Sequence, residues 1–109
     1  MQTHSIWMTF DLGVRGDYES LYKWLDTREA IECGDNVAYF KFPFETNLLD
    51  ELTMSLQSNV KMTSESRFYI VGRWKEDQKV RGRFLIGHRK PPPWSGFAPP
   101  KDVAPSDEA

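Results

Sequence analysis

The first apolar run of this chain ends on a carboxylate. Ser5-Ile6-Trp7-Met8-Thr9-Phe10 leads into Asp11, then Leu12, and a turn bounded by Gly13 and Gly16. Asp11 therefore falls at the carboxyl end of a predicted strand, where open α/β sheets collect their ligands. A hard cation such as Mg²⁺ takes oxygen ligands, often one or two carboxylates completed by water and phosphate. One carboxylate per chain makes a poor metal site, so Mg²⁺ would need two copies of Asp11 brought together at a dimer axis. The competing role is local, because turn aspartates accept backbone N–H groups or cap the next helix. A phosphodiester-cleaving site must also activate water and stabilise developing charge. Only Arg15 and Asp17 stand nearby in sequence, and Asp17 is needed as a helix cap. Asp11 is therefore expected to hold its turn.

The second group is cationic. Residues 1–66 carry 5 Lys/Arg against 11 Asp/Glu, whereas residues 67–90 carry 8 Lys/Arg against Glu76 and Asp77. Within the basic segment Arg73, Lys75, Lys79, Arg81 and Arg83 fall on two predicted strands and their turn, close enough to meet successive phosphates. Tyr69 and Trp74 interleave with them and could stack on unpaired bases. The same charges could instead form a solvated edge that discourages aggregation, or a dock for a partner's acidic half. A third lead follows at Pro91-Pro92-Pro93-Trp94. This segment favours polyproline II, a shape that partner grooves recognise at low entropic cost. Its alternative is a plain chain end with an aromatic tucked onto the body, since Trp94 and Phe97 are costly to leave in water.

Other chemistry lacks parts. His4 falls at an expected mobile terminus and His88 at the end of the last strand, neither with a metal-spaced partner. Cys33 is the lone cysteine, so no intramolecular disulfide forms, and it reads as a small hydrophobe. Ser20, Ser55, Ser58 and Ser64 sit in no nucleophile elbow, and no glycine motif cradles phosphate. No cofactor is expected apart from Mg²⁺ in the nuclease case. No signal peptide or membrane span is read in the sequence, which points to a cytoplasmic location without membrane contact.

These groups need elements to hold them. Residues 5–12 form a strand. Asp17 caps a helix running to about Thr27, with Tyr18, Leu21, Tyr22 and Leu25 on one face. Residues 28–42 form a hairpin around Gly34-Asp35-Asn36, ended by Pro43. Thr46 caps a second helix carrying Leu48, Leu49, Leu52 and Leu56, which closes at Asn59. Strands follow at 67–74 and 79–88. In the last, Val80, Gly82, Phe84, Ile86 and His88 alternate with Arg81, Arg83, Leu85 and Gly87, the pattern of a sheet wetted on one side. The expected core is Ile6, Met8, Phe10, Leu21, Leu25, Val37, Phe40, Leu52, Leu56, Phe68, Ile70 and Phe84. This order specifies an α+β, ferredoxin-like βαββαβ domain over residues 1–90, with an additional C-terminal strand and both helices on one face. Residues 91–109 are expected as a proline-rich, largely disordered tail. An exposed last strand would pair with a second copy, making a homodimer through residues 79–90.

The Phe10-Asp11-Leu12 strand end and the Gly16-Asp17-Tyr18-Glu19-Ser20-Leu21-Tyr22 helix start resemble a known group. They are similar to those of small ferredoxin-fold proteins related to the CRISPR-associated adaptation nuclease, to virulence-associated protein D and to SinR-like bacterial proteins. The resemblance covers roughly residues 5–74. It implies a homodimer whose terminal strand completes a neighbour's sheet, and it maps the family's metal-dependent nuclease aspartate onto Asp11. The acidic first half and the proline-rich end depart from that group. The chain thus reads as a small dimeric module binding nucleic acid or protein through its basic hairpin, with a metal-dependent nuclease using Asp11 as the alternative.

Overall fold

Period-two alternation along four apolar segments builds one antiparallel sheet. In the computed structural model, which describes residues 1–100, β1 (Gln2–Asp11) is followed by α1 (Tyr18–Thr27), β2 (Ile31–Glu32) and β3 (Val37–Phe44). The chain continues through α2 (Leu48–Asn59), β4 (Arg67–Arg73) and β5 (Val80–Ile86). The strand order is β2-β3-β1-β4-β5, with every neighbouring pair antiparallel. The described residues thus form an α+β structure, with five strands and two helices.

The even-numbered residues of β1, β3 and β4 face the helices. Ile6, Met8, Phe10, Phe40, Phe42, Phe68 and Ile70 join Leu21, Trp24, Leu25, Leu52 and Leu56 in one buried cluster. The α1 face is rotated from the expected one: Trp24 is buried and Tyr22 is exposed. Trp24 wins because its ring meets Phe40 edge-on at 5.2 Å while its indole N–H donates to Ser55 Oγ at 2.9 Å. Arg28 closes the end of the cluster, its guanidinium 5.0 Å and 4.9 Å from the Trp24 and Phe42 rings.

Several expected boundaries shift for identifiable reasons. β1 begins at Gln2, pairing with Phe44, so His4 is no mobile terminus. His4 is buried and stacks on Trp74 at 5.3 Å. Pro43 does not end its strand. β2 pairs only beside Ala38 and Tyr39, so no strand stands where Pro43 lacks its N–H. Asn47, not Thr46, caps α2, accepting from the Asp50 N–H at 2.9 Å. The residues before the helix are instead gathered by Glu51, whose carboxylate accepts from the N–H groups of Glu45, Thr46 and Asn47 at 2.8, 2.8 and 2.9 Å. Those three donors hold its pKa down at about 2.

The main surprise lies in β5. Phe68 pairs with Ile86 but Tyr69 pairs with Phe84, so Leu85 is an extra residue in a bulge. Ile86 faces the helices, whereas Phe84 faces the opposite side and is absent from the buried core. Val37, also expected inside, is only half-buried on that same open face. The described part of the expected tail, residues 91–100, contains no helix or strand. Its aromatics are not docked: Trp94 is 72% exposed and Phe97 85%. Residues 101–109 of that tail lie outside the described residues. Among the described residues, no helix is long and apolar enough to cross a membrane.

Candidate nucleic-acid interface

Because the helices cover one face of the sheet only, side chains with the opposite alternation are left uncovered. The registers arrange them in rows across the strands. One row runs Tyr39, Trp7, Val71, Gly82 and the next Val37, Thr9, Tyr69, Phe84. Each row carries one aromatic pair. Trp7 and Tyr39 lie 4.7 Å apart in a tilted arrangement, and Tyr69 meets Phe84 edge-on at 4.8 Å. The Tyr39 hydroxyl bonds to Ser5 Oγ at 2.9 Å, which fixes its ring.

Cations border these rings. The Arg89 guanidinium is 5.8 Å from the Tyr69 ring and 5.4 Å from Phe84, and that of Arg67 is 5.8 Å from Phe84. Such placements over aromatic faces are favourable. Arg67 is also engaged by Asp11 and by the His88 carbonyl, whereas Arg89 forms no ion pair among the described residues. Together with Thr9, Val37 and Asp35 these residues line a shallow concavity of about 490 Å³.

The seven residues singled out for nucleic acid do not form one patch. Tyr69 and Arg73 lie in rows of the open face, with Arg73 opposite Val80. Arg81 and Arg83 pair with Gly72 and Ile70, which puts them on the helix side. There they line a groove of about 760 Å³ with Lys75, Trp74 and the start of α2 at Leu48 and Leu49. Lys79 sits at the base of the hairpin turn, its N–H bonded to Asp77 Oδ1 at 3.0 Å. Some of this charge is already committed. Arg81 is ion-paired with Asp77, and Lys75 donates to Gln2 Oε1 at 2.9 Å. Trp74 covers Gly72 and stacks on His4, so one of its faces is occupied within the fold. Pro91, Pro92, Pro93 and Trp94 lie in the exposed segment after β5 and line neither concavity.

Asp11 is held on both oxygens. Oδ1 accepts from the Gly13 N–H at 3.0 Å, and Oδ2 lies 3.6 Å from Arg67 Nη2. Among the described residues, no three His, Cys, Asp or Glu side chains converge as a metal site would require. Asp17 is also occupied, accepting from Ser20 N–H at 3.2 Å and from Lys61 N–H at 2.9 Å. These bonds, that from Lys61 foremost, lower its pKa. Cys33 is a free thiol on the surface.

Trp7 and Tyr39 were missed as site residues. Trp7 lies in an apolar run that reads as a buried strand throughout, and only the polar residues Ser5, Thr9 and Asp11 at the same alternation mark its face as open. Comparisons with family models, curated proteins and solved structures returned no match.

Proposed function

We propose that the chain is a cytoplasmic, ferredoxin-like interaction module that binds nucleic acid through the basic β4–β5 end of its sheet. The order β2-β3-β1-β4, with both helices packed on one face, supports the ferredoxin-like reading, and β5 extends the sheet by one strand. Kinship with the CRISPR-associated, virulence-associated and SinR-like group belongs to the same proposal. So does a homodimer, which would form along the outer edge of β5.

The observation that carries the binding function is the delivery of cations to both sides of one sheet edge. Arg67 and Arg73 lie on the open face, Arg81 and Arg83 line the groove on the other, and Lys75 and Lys79 flank the turn between them. A phosphate backbone lying on either face beside this edge, and leaving the edge itself to a second copy, meets positive charge along its path. The helices, on the same side of the sheet as Arg81 and Arg83, carry Glu19, Asp26, Asp50 and Glu51, whose charge favours approach of a polyanion from the open face. Asp11, bonded to Gly13 and paired with Arg67, fits a residue that holds its turn. No observation of its own favours the nuclease alternative.

The test is an anisotropy titration of labelled single-stranded and duplex oligonucleotides across a range of salt. Affinity should fall as salt rises, and Arg81→Ala/Arg83→Ala should flatten the log–log slope by about one for each phosphate left without its cation. Absence of binding at low salt overturns the proposal. Mg²⁺-dependent cleavage that disappears in Asp11→Asn, with the melting temperature kept, replaces it with the nuclease reading.

A further inference from the structure

The open face carries more ring surface than a merely solvated sheet needs. Trp7 sits at the centre of the sheet on β1 with 46% of its surface exposed. We infer that this face is a base-stacking platform for single-stranded nucleic acid, with Trp7 and Tyr69 as its two principal rings. The inference rests on nucleic-acid binding at β4–β5 and adds the strandedness of the ligand and the mode of contact.

The spacing suits successive bases. Trp7 is opposite Val71, so Tyr69 is its diagonal neighbour, about 7–8 Å away. Both rings are set in place by the fold. Tyr39 stands against Trp7, anchored through its hydroxyl on Ser5. Tyr69 reaches across β5 where Gly82 leaves room; a Cβ there would come within 2.7 Å of ring carbons. Base–aromatic stacking works for every base, because each has a π face.

Charge selects nucleic acid over a purely apolar occupant. Arg89 stands beside the Tyr69–Phe84 pair, and Lys41 and Arg73 lie in the row beyond Trp7. The acids bordering the face are Asp11, already neutralised by Arg67, and Asp35. Arg73 and Arg89 form no ion pair among the described residues. Duplex bases are stacked within their own helix and cannot reach these rings, whereas unpaired bases can be splayed onto them.

The experiment uses the full chain, a labelled oligouridylate of about ten nucleotides, a duplex of equal length, and light scattering of the free protein. Trp7→Ala and Tyr69→Ala should each weaken single-strand binding about 5- to 100-fold and leave duplex binding within about twofold. Trp7→Phe should restore most of the affinity, and Met54→Ala, exposed on α2 across the sheet from these rings, should change nothing. Thermal melts establish that each variant is folded. If Trp7→Ala and Tyr69→Ala bind the single strand normally while Arg81→Ala/Arg83→Ala does not, the platform is refuted and nucleic-acid binding stands. If no oligonucleotide binds, both fail. If Trp7→Ala turns a dimer into a monomer without changing oligonucleotide affinity, the face joins two copies and the inference falls.

Discussion

At the scale of single residues, the two most informative positions are a glycine and a glutamate. Alanine at Gly82 would normally steady a strand by about 0.5–1 kcal/mol. Here its Cβ collides with the end of the Tyr69 side chain, which can swing away. Gly82→Ala should therefore stay within about 1 kcal/mol of the parent in urea unfolding. It should nonetheless break the edge-on packing of Tyr69 against Phe84 and bind single strands as poorly as Tyr69→Ala. Unchanged affinity would show that the ring position does not matter. Glu51 contributes to acid stability, as Asp17 does. Its pKa falls from 4.5 in a free side chain to about 2 in the fold, so the carboxylate stabilises the native state above pH 4.5. That contribution disappears as pH drops through the window between those values. Unfolding midpoints of the parent should fall across that window, and Glu51→Gln should flatten the profile there while lowering the plateau above it.

At the scale of elements, helix phase gives a direct check. Trp24→Ala should cost about 3–5 kcal/mol, the range for deleting a buried aromatic. Tyr22→Ala should cost less than about 0.5 kcal/mol. Calorimetric melts that reverse this ranking would mean that α1 is rotated. The seven elements of the described residues could all be read from the sequence in their correct order. Apolar period and turn chemistry act locally, as at Asp17 and Gly34-Asp35-Asn36. What stayed hidden was set by neighbours. Tyr18, Tyr22 and Trp24 all suit an apolar stripe, and only Ser55 and Phe40 decide which is buried. β5 alternates cleanly only from Val80 to Phe84. The apolar run Phe84-Leu85-Ile86 breaks the pattern where the bulge falls, without saying which of the three is the extra residue. The basic hairpin was legible as a cluster along the chain but not as two clusters on opposite faces. The same bulge explains why.

At the scale of the whole molecule, strand order turns a charge bias along the chain into one across the sheet. β5, at one edge, carries Arg81 and Arg83, and β2, at the other, carries Glu32 beside Asp35. An approaching polyanion should be oriented before it touches the sheet, so the association rate should fall more steeply with salt than the dissociation rate rises. Assembly is tested at this scale too. A second copy pairing along β5 should give twice the 12.7 kDa chain mass by light scattering at about 10–50 µM. A chain truncated after Trp74 should no longer associate. A monomer mass at those concentrations refutes the dimer, and self-association that survives the truncation places it elsewhere than β5.

Leu85 gives β5 one residue of slack, and slack has an evolutionary use. In the observed register Phe84 shows its ring to the open side while Arg81 and Arg83 look the other way. Moving the bulge to the Val80 end would invert that assignment with no side chain replaced, because each strand position faces the side opposite its neighbour. A lineage could thus trade an aromatic surface for a cationic one through a change in a turn. Gly82 under Tyr69 is what now weighs against that exchange.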